Sequence, residues 1–322
     1  NLHKMFLDII LLLLGLGILI YGAEKLVDGG SVLAARLNVP NMVIGLTVVA
    51  FGTSSPELVV SVMAAIKGES DIAFGNVLGS NLFNLLAILG LTATIQTISI
   101  KKNTTRIEVP LTVISAVIIL MMFMNNYWSA PQQFTISRPE GIILLLCFGG
   151  FMFYTFQLAR KGESENIPIK SYSSGRAVFY IIIGLTGLIA GGKFLVDSAV
   201  NIASALGISQ RIIALTIVSI GTSLPELATS IIAARKKNTD MAIGNVLGSN
   251  IFNVFLILGI SSAISPINIS LASLFDITLN IIASLMVFLF IFTGKGRKIS
   301  RTEGILLLTT YIAYLLFLIF YP

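Results

Sequence analysis

The sequence predicts an all-α membrane protein of ten transmembrane helices, arranged as two inverted repeats of five. Three observations lead there: a composition poor in charge, a succession of apolar runs of membrane length, and a match of the chain to itself at a fixed offset. The chain is 55% hydrophobic and 11% charged over 322 residues, whereas a soluble domain carries about a quarter charged residues. Apolar runs long enough to cross a hydrocarbon core, which takes about 20 helical residues, fall at 6–27, 41–66, 72–95, 107–124, 139–158, 177–196, 210–234, 241–264, 273–293 and 302–321. The first is too long for a signal peptide, carries Asp8 and lacks a small-residue cleavage pattern, so it is expected to remain as a span.

Charge in the loops sets the expected orientation. One side receives Arg36, then Lys101, Lys102 and Arg106, then Arg160, Lys161, Lys170 and Arg176, then Arg235, Lys236 and Lys237, then Lys295, Arg297, Lys298 and Arg301. The other receives Lys4, Lys67, Arg138 and Arg211. Fifteen against four places the loop between spans five and six in the cytoplasm and both termini outside. The net charge of +6 is thereby a matter of topology, and no nucleic-acid surface is expected, because the basic residues share no face. The lipid bilayer is the expected surrounding, and no obligatory protein partner is indicated. Cys147 is the only cysteine, which excludes a disulfide framework and a thiolate metal cluster.

At an offset of 169, GTSSPE at 52–57 aligns with GTSLPE at 221–226, and GNVLGSNLFN at 75–84 with GNVLGSNIFN at 244–253. Leu26, Val27 and Asp28 fall on Leu195, Val196 and Asp197. Five spans per half is an odd number, so the second half enters the membrane from the opposite side. The expected organisation is a first repeat at 1–158, a short cytoplasmic linker at 159–176 and a second repeat at 177–322. Inverted repeats with interrupted helices mark secondary transporters, whose substrate site lies at the midplane between the halves. Breaks are accordingly expected in helices 2, 3, 7 and 8, around a midplane ion site.

Glu57 and Glu226 lie inside apolar spans, where a central charge costs roughly 2.5–3.5 kcal/mol; two copies at matching positions point to function. Pro56 and Pro225 lack the amide hydrogen that would bond the carbonyls of Gly52 and Gly221, and so break the helix. Ser55 is expected to cap the new half-helix, with the weaker Leu224 at the matching place. The freed carbonyls near Ala50–Thr53 and Ser219–Thr222 need partners that lipid does not offer, and a cation is one. Asn76, Ser80 and Asn84, with Asn245, Ser249 and Asn253, make a polar stripe at i, i+4, i+8. In this stripe Ser80, Asn84 and their mates read as ligands, Asn76 and Asn245 as glue between helices, and the flanking glycines as sites of close helix approach. Carboxylate, hydroxyl, amide and backbone oxygens make a hard-cation donor set; two carboxylates neutralise one divalent ion.

At these motifs the chain resembles the Ca2+:cation antiporter superfamily, and in particular its prokaryotic sodium/calcium exchangers. The resemblance implies an antiporter that exchanges Na+ for Ca2+ by alternating access, electrogenic at three Na+ per Ca2+. It implies that Glu57 and Glu226 share Ca2+ with the carbonyls of Thr53 and Thr222, that Na+ sits among Ala50, Ser54, Ser80, Ser219, Ser223 and Ser249, and that Asn84 and Asn253 line the centre. It also implies that the first and sixth spans slide across the other eight. Proton-coupled relatives usually lack the Thr-Ser pair present here in both copies, which favours Na+; a proton-coupled Ca2+ antiporter is the alternative reading. Asn at both 84 and 253 departs from relatives with Asp in this helix pair and argues against potassium dependence. The linker is too short for a regulatory Ca2+ domain. An enzyme is not expected: the only histidine is His3, GxSxG is absent, and GLIAGGK at 187–193 is followed by Phe194 where a phosphate-binding loop needs Ser or Thr. No cofactor is expected beyond the transported Ca2+ and Na+.

Overall fold

The computed structural model describes residues 2–37, 39–100, 107–129, 134–160, 173–205, 219–271, 273–293 and 296–320. The start of the seventh predicted span, with Arg211, and most of the predicted linker lie outside the described residues.

The chain is almost wholly helical. Among the described residues the helices in order are α1 (Leu2–Leu37), α2 (Asn41–Thr53), α3 (Ser55–Lys67), α4 (Ser70–Ile95), α5 (Glu108–Ser129), α6 (Arg138–Arg160), α7 (Ser174–Ala205), α8 (Ser219–Thr222), α9 (Leu224–Arg235), α10 (Thr239–Ile264), α11 (Ser273–Thr293) and α12 (Arg301–Phe320). Among the described residues seven helices are long and apolar enough to cross a membrane, or eight if α2 and α3, bent by 49° at Ser54, form one span. Backbone groups in lipid have no outside partner, so a helix is the form these apolar runs must take.

Burial divides the helices by role. Most of the apolar stretch of α4 and α10 is buried inside the protein, while little of α1, α6 or α12 is. The latter turn Leu13, Leu146, Phe153 and Phe320 outward, as side chains solvated by lipid do. Around α4 and α10 the core is packed by Leu82, Leu85, Leu86, Val246, Ile251 and Phe255, all at most 1% exposed.

Helices α1 and α7 form a close pair with backbone against backbone. A Cβ on Gly184 would lie 2.6 Å from Leu26 N, and one on Gly22 would lie 2.7 Å from Leu188 N, so only glycine fits this seam. The glycines of the second motif act likewise: a Cβ on Gly244 would meet the Met42 carbonyl at 2.8 Å, and one on Gly248 the Ala50 Cβ at 2.8 Å. These glycines let α10 lie against α2, as the GxxxG spacing predicts.

Two short antiparallel ribbons join the halves of the chain. Strand β1 (Ile98–Ser99) pairs with β4 (Lys298–Ile299), and β2 (Phe134–Ile136) with β3 (Ile267–Ile269). Each ribbon takes one strand from either half.

Two expectations need correction. Helices α4 and α10 are continuous rather than broken: neither contains proline, and Phe83–Ile88 and Phe252–Leu258 are wound as π-helix inside them. A π segment widens the turn and re-aims side chains without interrupting the backbone ladder. Ser55 is not the cap of α3. Ser54 holds that position, and Ser223 holds it before α9, with Pro56 and Pro225 in the first turn. Neither serine caps through its side chain; both hydroxyls are used elsewhere, as is that of Ser55, which donates to the Phe51 carbonyl at 2.9 Å.

Candidate functional site

The site is built where α2 gives way to α3 and α8 to α9. Each Pro leaves a carbonyl without its amide partner and opens the helix, and the bend puts Ser54 or Ser223 at the junction with Glu57 or Glu226 one turn later. Glu57 and Glu226 are each 1% exposed. Ser54, Ser80, Asn84, Ser223, Ser249 and Asn253 are buried around them.

The hydroxyls freed from capping cross between the halves. Ser54 Oγ donates to Glu226 Oε1 at 2.8 Å, and Ser223 Oγ to Glu57 Oε1 at 2.7 Å. Ser223 Oγ also lies 3.0 Å from Ser80 Oγ, and Ser249 Oγ donates to Glu226 Oε1 at 3.3 Å. Thr53 Oγ1 reaches Asn245 Oδ1 at 3.2 Å, and Thr222 Oγ1 reaches Asn76 Oδ1 at 3.4 Å. Each half therefore holds the other's carboxylate in place.

Asn76 and Asn245 act as the clamps expected of them. Asn76 Nδ2 donates to the Glu57 carbonyl at 3.3 Å and to Ser61 Oγ at 2.9 Å; Asn245 Nδ2 donates to the Glu226 carbonyl at 3.2 Å and to Ser230 Oγ at 2.9 Å. They tie α3 to α4 and α9 to α10. The Ala50 carbonyl, predicted free, accepts from Ser54 N at 2.9 Å and from Thr53 Oγ1 at 3.4 Å. Of Ser219 only the backbone, at the start of α8, is described.

Four buried oxygens in this region have no hydrogen-bond partner: Glu57 Oε2, Glu226 Oε2, Asn84 Oδ1 and Asn253 Oδ1. A buried polar atom without a partner costs about 1–3 kcal/mol, and four such oxygens in two matched pairs are what a desolvated cation would satisfy. The donors are all hard oxygen, suited to Ca2+ or Na+ and not to a soft metal.

Sequence reasoning missed Asn81 and Asn250. Asn84 Nδ2 donates to Asn250 Oδ1, and Asn253 Nδ2 to Asn81 Oδ1, each at 3.0 Å. The available signal was their place as matched polar residues in GNVLGSN[LI]FN. Ser61 and Ser230 were missed too; they are also related by the offset of 169.

A buried helical bundle with matched, helix-breaking carboxylate motifs defines an integral membrane transporter of ions. The chain belongs to the sodium/calcium exchanger family, and is thus a transmembrane cation antiporter: the profile described as sodium/calcium exchanger protein matches residues 7–157 and 176–320. It is similar to the sodium/calcium exchanger MaX1 of Methanosarcina acetivorans, at 31% identity over 97% of this chain and 99% of that one. It is likewise similar to the inner membrane protein YrbG of Escherichia coli, at 33% identity over 97% of this chain and 96% of that one. Its fold is similar to that of the sodium-calcium exchanger NCX_Mj, with a TM-score of 0.81 and 34% identity over 96% of this chain and 97% of that one.

Proposed function

We propose that this antiporter exchanges Na+ for Ca2+ at a single midplane site shared by two inverted five-helix repeats, residues 1–158 and 177–322, joined by a short cytoplasmic linker at 159–176. The observation that carries the reading is the set of four partnerless oxygens on Glu57, Glu226, Asn84 and Asn253, held by hydrogen bonds that cross between the halves. Ten spans are proposed, with both termini outside the cytoplasm; the ribbons that each take a strand from either half support the repeat.

Ca2+ takes six to eight oxygens. Glu57 and Glu226 supply its charge balance, with the carbonyls of Thr53 and Thr222 beside them. Na+ occupies flanking positions among Ala50, Ser54, Ser80, Ser219, Ser223 and Ser249. A cation entering the site competes with the serine hydroxyls for Glu57 Oε1 and Glu226 Oε1, so loading and release each exchange one oxygen contact for another. The close α1–α7 pair then slides across the remaining helices to expose the site to the other side. The reading calls for no cofactor and no obligatory protein partner.

With neutral amides at Asn84 and Asn253, the two glutamates give a fixed charge of about −2, if both are ionised while the cation is bound. One Ca2+ makes the loaded site neutral, and three Na+ leave it at +1. The cycle is then electrogenic, and 100 mV acts on the moving charge with about 2.3 kcal/mol. In reconstituted vesicles Ca2+ uptake is expected to require Na+ inside and to respond strongly to an imposed potassium diffusion potential. Uptake driven by a pH gradient without Na+ would establish the proton-coupled alternative, and a voltage-insensitive Na+-driven flux would mean two Na+ per Ca2+.

A further inference from the structure

Asn84 and Asn253 present oxygen to the centre only if their amides face one way. A primary amide has an acceptor end and a donor end on one plane, so a half-turn would offer NH2 to a cation and repel it. The structure commits the donor ends: Asn84 Nδ2 is taken by Asn250 Oδ1 and Asn253 Nδ2 by Asn81 Oδ1, each at 3.0 Å. The acceptor ends, Asn84 Oδ1 and Asn253 Oδ1, are left buried and partnerless, as is Asn250 Nδ2, the far end of the amide that accepts from Asn84. Asn81 and Asn250, at 2% and 1% exposure, have no water to replace them in this role.

The arrangement is reciprocal. Helix α4 gives an acceptor, Asn81, and three residues later a donor, Asn84; α10 gives Asn250 and Asn253 in the same order. Each donor lies in a π segment and each acceptor in the α-helical turn before it. Both bonds run between α4 and α10, so the two amides are oriented by the opposite half of the chain and not by their own helix.

We infer that Asn81 and Asn250 are positioning residues for the transported cation: by holding the amide NH2 groups of Asn84 and Asn253, they turn both amide oxygens toward the site. The inference rests on the Na+/Ca2+ reading of that site. Asn250→Leu is close in shape and cannot accept, so the Asn84 amide loses its orientation. The Ca2+ dissociation constant, measured by calorimetry on the purified full-length protein, is expected to rise about tenfold, the factor expected for losing one oriented polar contact.

A merely structural Asn250 would lose affinity in any background, and one substitution separates the two cases. Asn84→Asp has oxygen at both ends, so its orientation no longer matters. In that background Asn250→Leu is expected to change Ca2+ affinity by less than about threefold. Unchanged affinity in Asn250→Leu alone, or an equal loss in both backgrounds, would overturn the inference. Should Asn250→Leu not fold, Asn81→Leu with and without Asn253→Asp decides in the same way. A wild-type protein that binds no Ca2+ would instead defeat the reading of the site, which keeps the two failures distinct.

Discussion

Each motif glutamate is half satisfied. One oxygen of Glu57 accepts from Ser223 and one of Glu226 from Ser54, while the second oxygen of each has no partner. Glu57→Gln and Glu226→Gln keep an oxygen for the serine but remove half the charge that balances a divalent ion. Both variants are expected to fold, with near-normal melting, and to lose Ca2+ exchange; substantial exchange by either would remove it from the site. Asn76 has a different part, since its amide ties the Glu57 carbonyl and Ser61 to α4. Its change to Ala strands buried partners at about 1–3 kcal/mol, so Asn76→Ala is expected to lower the melting temperature with little change in the Na+ or Ca2+ dependence of exchange. A selective shift in ion dependence at unchanged melting would make Asn76 a ligand. At this scale Glu57, Glu226, Ser80 and Asn84 were legible because a charge or polar stripe in an apolar span demands a reason, and the repeat doubles the signal. Asn81 and Asn250 were not, because their partners lie in the other half of the chain, nor were Ser61 and Ser230, whose partners Asn76 and Asn245 are on the neighbouring helix.

Among the elements, proline was a reliable sign: α2 bends into α3 and α8 gives way to α9 at the predicted places. The cap was misplaced by one residue because Ser54 and Ser55 are equally good capping types; only the structure reveals that Ser54 Oγ is drawn to Glu226. The π segments of α4 and α10 left no mark in hydropathy, since apolar residues of an all-buried helix suit either winding. The α1–α7 seam was legible in neither helix alone, because a glycine's neighbour is a tertiary fact. That seam makes a prediction of its own. Gly184→Val places side-chain atoms where Leu26 N already lies within 2.6 Å of the Cβ position, and the flexible-side-chain remedy does not exist for backbone. The two helices must separate. Gly184→Val is expected to lower the melting temperature and slow exchange together, measured on purified protein and in vesicles; wild-type values for both would mean that the pair does not move or pack as one unit.

Viewed whole, the molecule follows its repeat in most bonds of the site and departs from it in an ion pair away from the site. The offset of 169 maps Asp28 onto Asp197 and Lys67 onto Lys236. Lys236 Nζ bonds Asp28 Oδ1 at 2.9 Å and the Glu24 carbonyl at 3.2 Å, fastening α1 just beyond the end of α9. Among the described residues no ion pair joins the matching Lys67, at the end of α3, to Asp197 on α7, and both are exposed. Under alternating access by inverted repeats, the opposite-facing state exchanges the conformations of the two halves. If the two halves exchange conformations in this way, the Asp28–Lys236 bridge is expected to open as Lys67 and Asp197 close. The pair is partly exposed, and ion pairs that water reaches contribute little stability, about 0–1 kcal/mol when fully exposed, which suits a latch that must open in every cycle. In a Cys147→Ser background, the pairs Asp28→Cys with Lys236→Cys and Lys67→Cys with Asp197→Cys are each expected to be joined during turnover by a short reducible bifunctional thiol reagent, since a lysine–carboxylate bridge spans more than a disulfide can, and the link is expected to stop exchange reversibly. A Lys67→Cys and Asp197→Cys pair that never cross-links while ions are exchanged, or exchange that continues through either bridge, would refute the alternation of the two links.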